Sequence, residues 1–98
     1  MEIISFNKGN FSVWTESAVV EFDEEELENS FMNIKLFVNS NESIGMNVWT
    51  VNYLNNKLSS FVLSENKVLV PPDIIVKSLH YENIKNAILE YLNEGDYI

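Results

Sequence analysis

The chain reads as a single α+β domain, an antiparallel sheet of five to six strands with a C-terminal amphipathic helix packed on one face. Three observations lead there. Short segments alternate apolar and polar residues with turn signals between them, the period of half-buried strands. One segment near the C-terminus carries apolar residues at helical spacing instead. And 98 residues with 46% hydrophobic content make one domain, residues 1–98, able to bury a core without staples.

Taken in order, Ile3 to Phe6 and Phe11 to Thr15 form a hairpin around Asn7-Lys8-Gly9-Asn10, whose Gly and Asn residues tolerate positive φ. Ala18 to Phe22 continues as an extended segment. Asp23 followed by Glu26 makes a capping box, and Phe22 with Leu27 stands where a hydrophobic staple belongs, so a short helix is expected from about Glu24 to Ser30. Phe31 to Val38 is a strand whose even residues Met32, Ile34, Leu36 and Val38 face the core. After the polar loop Asn39 to Gly45, Met46 to Leu54 is apolar on both faces and reads as a central strand. Leu58 to Leu63 and Lys67 to Val70 read as further strands around the turn Ser64 to Asn66, closed by Pro71-Pro72, which cannot donate to a ladder. Ile74 to Val76 fits a strand or a first helical turn started by Asp73. Ile84, Ala87, Ile88, Tyr91 and Leu92 then form one helical stripe, with Gly95 placed for a C-terminal cap.

Charge is the second signal. The formal net charge is −9, and there is no arginine among the six basic residues. Residues 1–34 hold eight carboxylates against Lys8, a net of −7, and the other 64 hold seven against five lysines, a net of −2. Six of the eight residues from Glu21 to Glu28 are acidic. Binding to phosphate backbones is disfavoured, because that affinity comes mainly from lysine and arginine. The chain lacks cysteine, and its start, M-E-I-I-S-F, has neither the basic region nor the apolar stretch of a signal peptide. No segment approaches a membrane span, and the cytoplasm is the expected compartment.

Each candidate site has an ordinary structural explanation beside a functional one. Acids in a first helical turn interact favourably with the backbone dipole, which accounts for about three of them. Glu21, Glu28 and the nearby Glu16 are left over, with no compensating lysines in the run. Glu16, Glu21, Asp23, Glu24, Glu25, Glu26 and Glu28 are therefore read as a docking surface for a basic partner, whose approach the charge would steer. Calcium would need alternating ligands and a central glycine, which D-E-E-E-L-E lacks. A carboxylate pair could in principle hydrolyse glycosides, but so small a domain leaves little room for a sugar cleft. His80, the lone histidine, is read as a helix-terminus group, and no convergent catalytic set or zinc ligand set is present. No enzyme activity, cofactor or metal is expected. Trp49, in the most apolar strand, is expected in the core. Trp14 shares its face with Ser12 and Glu16 and is the candidate anchor of the docking surface.

The order of a strand from Phe31, a loop ending in Ile44-Gly45, the strand V-W-T-V-N-Y-L, a further hairpin, the helix H-Y-E-N-I-K-N-A-I-L-E-Y-L and the acidic tail E-G-D-Y resembles the immunity protein 8 family. These are small acidic proteins that bacteria encode beside polymorphic or contact-dependent toxins. The likeness covers the last two thirds of the chain, which departs from the pattern in having Asn52-Tyr53 where that family often has a proline and Tyr81 where it has a tryptophan. It implies a non-enzymatic inhibitor that binds a cognate toxin, with a nuclease as the expected target and no direct contact with nucleic acid. Two other readings stand beside it: a phage-type nucleic-acid mimic directed at host nucleases, and an assembly or chaperone subunit using a sheet edge or the Trp49 face. The sequence leaves the oligomeric state open.

Overall fold

The structure is a computed structural model and describes residues 2–39, 42–62 and 71–94. The chain folds as an α+β domain around a five-stranded sheet of order β1-β2-β3-β4-β5. Its strands are β1 (Ile4–Phe6), β2 (Gly9–Thr15), β3 (Phe31–Val38), β4 (Ser43–Thr50) and β5 (Ile74–Val76), and its helices α1 (Glu24–Asn29), α2 (Val51–Val62) and α3 (Tyr81–Glu94).

The first hairpin forms as the turn residues dictate. Gly9 sits at φ 147°, a conformation that an L side chain rarely adopts, and a Cβ there would run into the Asn39 side chain. That side chain accepts from Asn10 N at 3.0 Å while Asn39 N donates to Asn10 O at 2.8 Å, which locks the end of β3 to the hairpin. β1, β2, β3 and β4 pair antiparallel in sequence order. The alternation in β3 places Met32, Ile34 and Leu36 inside. They join Phe11 and Val13 of β2, Met46 and Val48 of β4, and Ile74 and Val76 of β5 on one sheet face. α3 covers that face with Ile84, Ile88 and Leu92, one residue per turn of a single stripe, and Leu79 fills the space ahead of it. Fully burying each such side chain is worth about 1.5–3 kcal/mol.

Four stretches differ from the pattern read in the sequence, the first being the polar loop Asn39 to Gly45, whose last three residues, Ser43 to Gly45, pair with β3 and begin β4. Ala18 to Phe22 is not extended: a single 3-10 turn spans Glu16–Ala18, and the N–H groups of Val19 and Val20 both donate to Glu16 O. The chain must leave the sheet here to reach α1, so Val19 is 73% exposed and only Phe22 packs on the core. The strand from Met46 ends at Thr50 rather than Leu54. Thr50 Oγ1 accepts from Tyr53 N at 3.1 Å, which supplies a partner for a first-turn amide and starts α2. Residues 51–54 and 58–62, read as strands, are that helix, and of the second apolar face read over Trp49, Val51 and Tyr53, Val51 is exposed and Tyr53 sits half-buried on α2 beside Leu54 and Lys57. Lys67 to Val70, the turn at 64–66 and Gly95 lie outside the described residues.

Ile74–Val76 resolves as a strand, and it runs parallel to β4, so β4, α2 and β5 form a crossover unit at the edge of an otherwise antiparallel sheet. Asp73 secures it instead of starting a helix: Asp73 N donates to Asn47 O at 3.1 Å, and its Oδ2 accepts from Asn47 N at 2.8 Å.

Candidate functional site

α1 forms as its caps predict. Asp23 Oδ1 accepts from Glu26 N at 2.8 Å, and Phe22 and Leu27 both pack against the core. Leu79 N donates to Leu27 O at 2.7 Å, fastening the helix to the connection between β5 and α3. With its apolar side so anchored, α1 turns its charges to solvent, and Glu21, Asp23, Glu24, Glu25, Glu26 and Glu28 are all exposed. Among the described residues only Glu24 of these six has a cationic partner in reach, His80 Nε2 at 3.9 Å. That contact is an ion pair only when the imidazole is protonated.

Glu16 and Trp14 do not join this group. The Glu16 carboxylate accepts from Asn33 N at 3.1 Å, prolonging the ladder of β3 where β2 has ended. Trp14 is half-buried on the sheet face opposite α3, opposite Lys35 in register, with the ammonium 5.4 Å from the ring centroid. Its neighbour is thus a cation and not a carboxylate cluster. Gly45 follows Lys35 in register on β4 and has open space above it, so Trp14, Lys35 and Gly45 line a shallow trough of about 280 Å³.

A second aromatic group was hidden by the strand reading of residues 51–54. Phe31 pairs with Trp49 across β3 and β4, and α2 carries Tyr53 back over both, with ring centroids 5.2 Å from Phe31 and 5.1 Å from Trp49. Lys57, one helical turn on, lies 5.3 Å from the Tyr53 ring. Trp49 is therefore outside the main core, half-buried on the opposite face, and Phe31 is 40% exposed. This group adjoins the acidic helix. Only Ser30 separates Asn29 from Phe31, and Ser30 O accepts from both N and Oγ1 of Thr50, each at 3.1 Å. The sequence signal that could have found it is Thr50 itself, a good helix cap, followed by an aromatic four residues after Trp49.

His80 lies directly ahead of α3, its carbonyl accepting from Asn83 N and Ile84 N and its Nδ1 2.7 Å from Ser78 Oγ. These contacts are those of a helix-terminus group. Among the described residues no three side chains gather as metal ligands, and no helix is long and apolar enough to cross a membrane. Comparison with protein-family models, with curated proteins and with solved structures gives no match.

Proposed function

We propose that this protein is a non-enzymatic inhibitor of the immunity type, which binds a basic protein toxin in the cytoplasm and occupies the surface where that toxin holds its substrate. A nuclease is the target class that fits the chemistry. An enzyme that grips a polyanion must be cationic in its groove, and a rigid row of carboxylates offers a matching field without a cleavable bond. The observation that supports this reading is the placement of five exposed acids, Glu21, Asp23, Glu25, Glu26 and Glu28, with no cation within ion-pair distance among the described residues. A partner would supply the missing positive charge. The half-exposed Phe31, Trp49 and Tyr53 beside α1 are better placed than Trp14 to give desolvated contact area, the role that aromatic anchors play in interfaces.

The test is a binding and inhibition titration against a basic toxin encoded by an adjacent gene, at low and at high salt. Changing the six acids of residues 21–28 to their amides should slow association at low salt by roughly tenfold or more and abolish most of the salt dependence, whereas Phe31→Ala should mainly speed release. Unchanged inhibition by the amide variant would defeat the proposal. Comparable inhibition of several unrelated basic DNA-binding enzymes would favour a nucleic-acid mimic over a one-partner inhibitor.

A further inference from the structure

The far edge of β5 carries a second interaction surface, independent of the acidic helix. β5 ends the sheet, and among the described residues no strand pairs with its outer side. Peptide groups point alternately to the two sides of a strand. Thr50 N donates to Ser30 O, while Asn47 N donates to Asp73 Oδ2 and Asn47 O accepts from Asp73 N, so the peptide groups of Asn47 and Trp49 face β5. In the parallel register Ile74 and Val76 then turn their peptide groups towards β4, and Ile75 turns its own to the free edge. Side chains alternate in the other direction: Ile74 and Val76 are buried in the core, whereas Ile75 is 49% exposed. An open groove of about 260 Å³ runs along this edge between Ile75 and Lys77 of the strand side and Asn83, Asn86 and Glu90 of α3.

We propose that this edge pairs with the same edge of a second copy of the chain, antiparallel, about a two-fold axis at Ile75. In that register Ile75 faces Ile75 of the second copy, and because its peptide groups point outward, the pair exchanges two N–H to C=O hydrogen bonds. The two Ile75 side chains then meet on the outer face, and Ile74 with Val76 of the second copy forms the flanking non-hydrogen-bonded pairs. Asp73 meets Lys77 of the second copy, and Lys77 meets its Asp73, two opposite-charge cross-strand pairs.

Other registers do worse for stated reasons. Centring on Ile74 sets the outward Ile75 against Asp73, whose N–H is already bonded to Asn47 O. Centring on Val76 sets Lys77 against Ile75 and leaves Asp73 without its lysine. Any slip by one residue opposes outward peptide groups with inward ones. The charge of −9 on each copy resists association, but α1 is tied to Leu79, just beyond the C-terminal end of β5. Antiparallel pairing therefore puts the two acidic helices at opposite ends of the joint, where salt near physiological strength, with a screening length of about 8 Å, suppresses their repulsion. So short a ladder makes a dimer in the micromolar range or weaker.

Sedimentation of the full chain over a hundredfold concentration range, up to roughly 1 mM and in roughly 0.15 M salt, should show the weight-average mass rising from monomer towards dimer. Amide exchange at Ile75 should slow with concentration, while Asp73, bonded to Asn47, and Ile74 and Val76, which face β4, should not respond. Lys77→Glu and Ile75→Lys should each raise the dissociation constant at least about tenfold with the melting temperature unchanged, and Ile44→Lys, on an exposed residue of β4, should leave it as it is. A monomer at every concentration overturns the proposal. So does a dimer that both edge substitutions leave intact and whose formation does not protect Ile75.

Discussion

Thr50 is the hinge between β4 and α2, and its hydroxyl should be worth about 2 kcal/mol. The residue is fully buried, so its polar atoms have no water to fall back on. Oγ1 accepts from Tyr53 N and donates to Ser30 O, joining the start of α2 to the end of α1. Thr50→Val keeps the β-branched shape and volume while deleting both bonds, so no cavity cost is mixed in. Loss of the cap costs about 1 kcal/mol, and loss of the buried bond to Ser30 about 1 more, tempered because Thr50 N still serves that carbonyl. In a domain of 98 residues each kcal/mol lowers the melting temperature by about 4–8 °C, so a fall of roughly 10 °C is expected. Thr50→Ser keeps the hydroxyl and loses one buried methyl, worth about 1 kcal/mol, and should fall between the two. Chemical and thermal unfolding of the three proteins measure this. If the valine variant is as stable as the parent, or more stable than the serine variant, the capping account of why β4 stops at Thr50 is wrong.

Asp23→Ala should cost about 1 kcal/mol by unfolding titration, whereas Asp23→Asn, which keeps an oxygen for Glu26 N, should cost only a few tenths. Gly9→Ala should destabilise by about 1–3 kcal/mol, because φ 147° and the Asn39 side chain both refuse a Cβ; an alanine variant of parental stability would count against that strain. At high pH, Tyr81 and Lys85 set the direction. Burial and the hydrogen bond to Glu2 push the Tyr81 phenol above 10.0, and the hydrogen bond to Glu82, with Glu2 adding to it, pushes the Lys85 ammonium above 10.5 against partial desolvation. Both values are raised by folding, so the stability they contribute is fully present below those pH values and is lost as pH rises through the folded-state values. Melting temperature should therefore decline above about pH 10 and decline less in Glu2→Gln, which removes the shared carboxylate; an equal or steeper decline in that variant contradicts the assignment.

Strict periodicity was the legible part of this fold. β3, with one apolar face, and α3, with one apolar stripe, each match a single template, and tertiary packing had nothing to override. The hairpin and α1 were readable because Gly9 and Asp23 are local devices whose effect is confined to one turn. Residues 51–62 were misread because apolar residues sit on both sides of β4 and then on a helix, and alternation over Trp49, Val51 and Tyr53 imitates a strand while Trp49 and Tyr53 also stand at helical spacing. Only the buried Thr50 hydroxyl separates the two, and burial is not visible in sequence. The parallel partner of β4 was unreadable for a related reason, since a crossover is recognised only once its helix is. The acids of residues 21–28 lie exposed on and beside α1, but Glu16 bonds Asn33 N, Trp14 lies beside Lys35, and the aromatic neighbours of α1 came in part from the misread segment.

Glu28 separates folding from function most sharply within the acidic run. Glu24, Glu25 and Glu26 occupy the first turn of α1, where carboxylates oppose the positive end of the helix dipole, and Asp23 caps it. Glu28 sits in the last turn, where the dipole disfavours an anion and no basic residue is present to offset it. It also follows Glu24 by four residues and Glu25 by three, spacings at which like charges repel by a few tenths of a kcal/mol each. Folding alone would be better served by a neutral side chain. Glu28→Gln should therefore raise stability by about 0.5 kcal/mol, or about 2–4 °C in melting temperature at low salt, and the gain should shrink as salt screens the repulsion. If α1 meets a basic partner, the same change should slow association, giving a protein that is more stable and a poorer binder. A loss of stability would mean that Glu28 has a favourable contact in the fold, and the case for an acidic run retained for its partner would lose its clearest member.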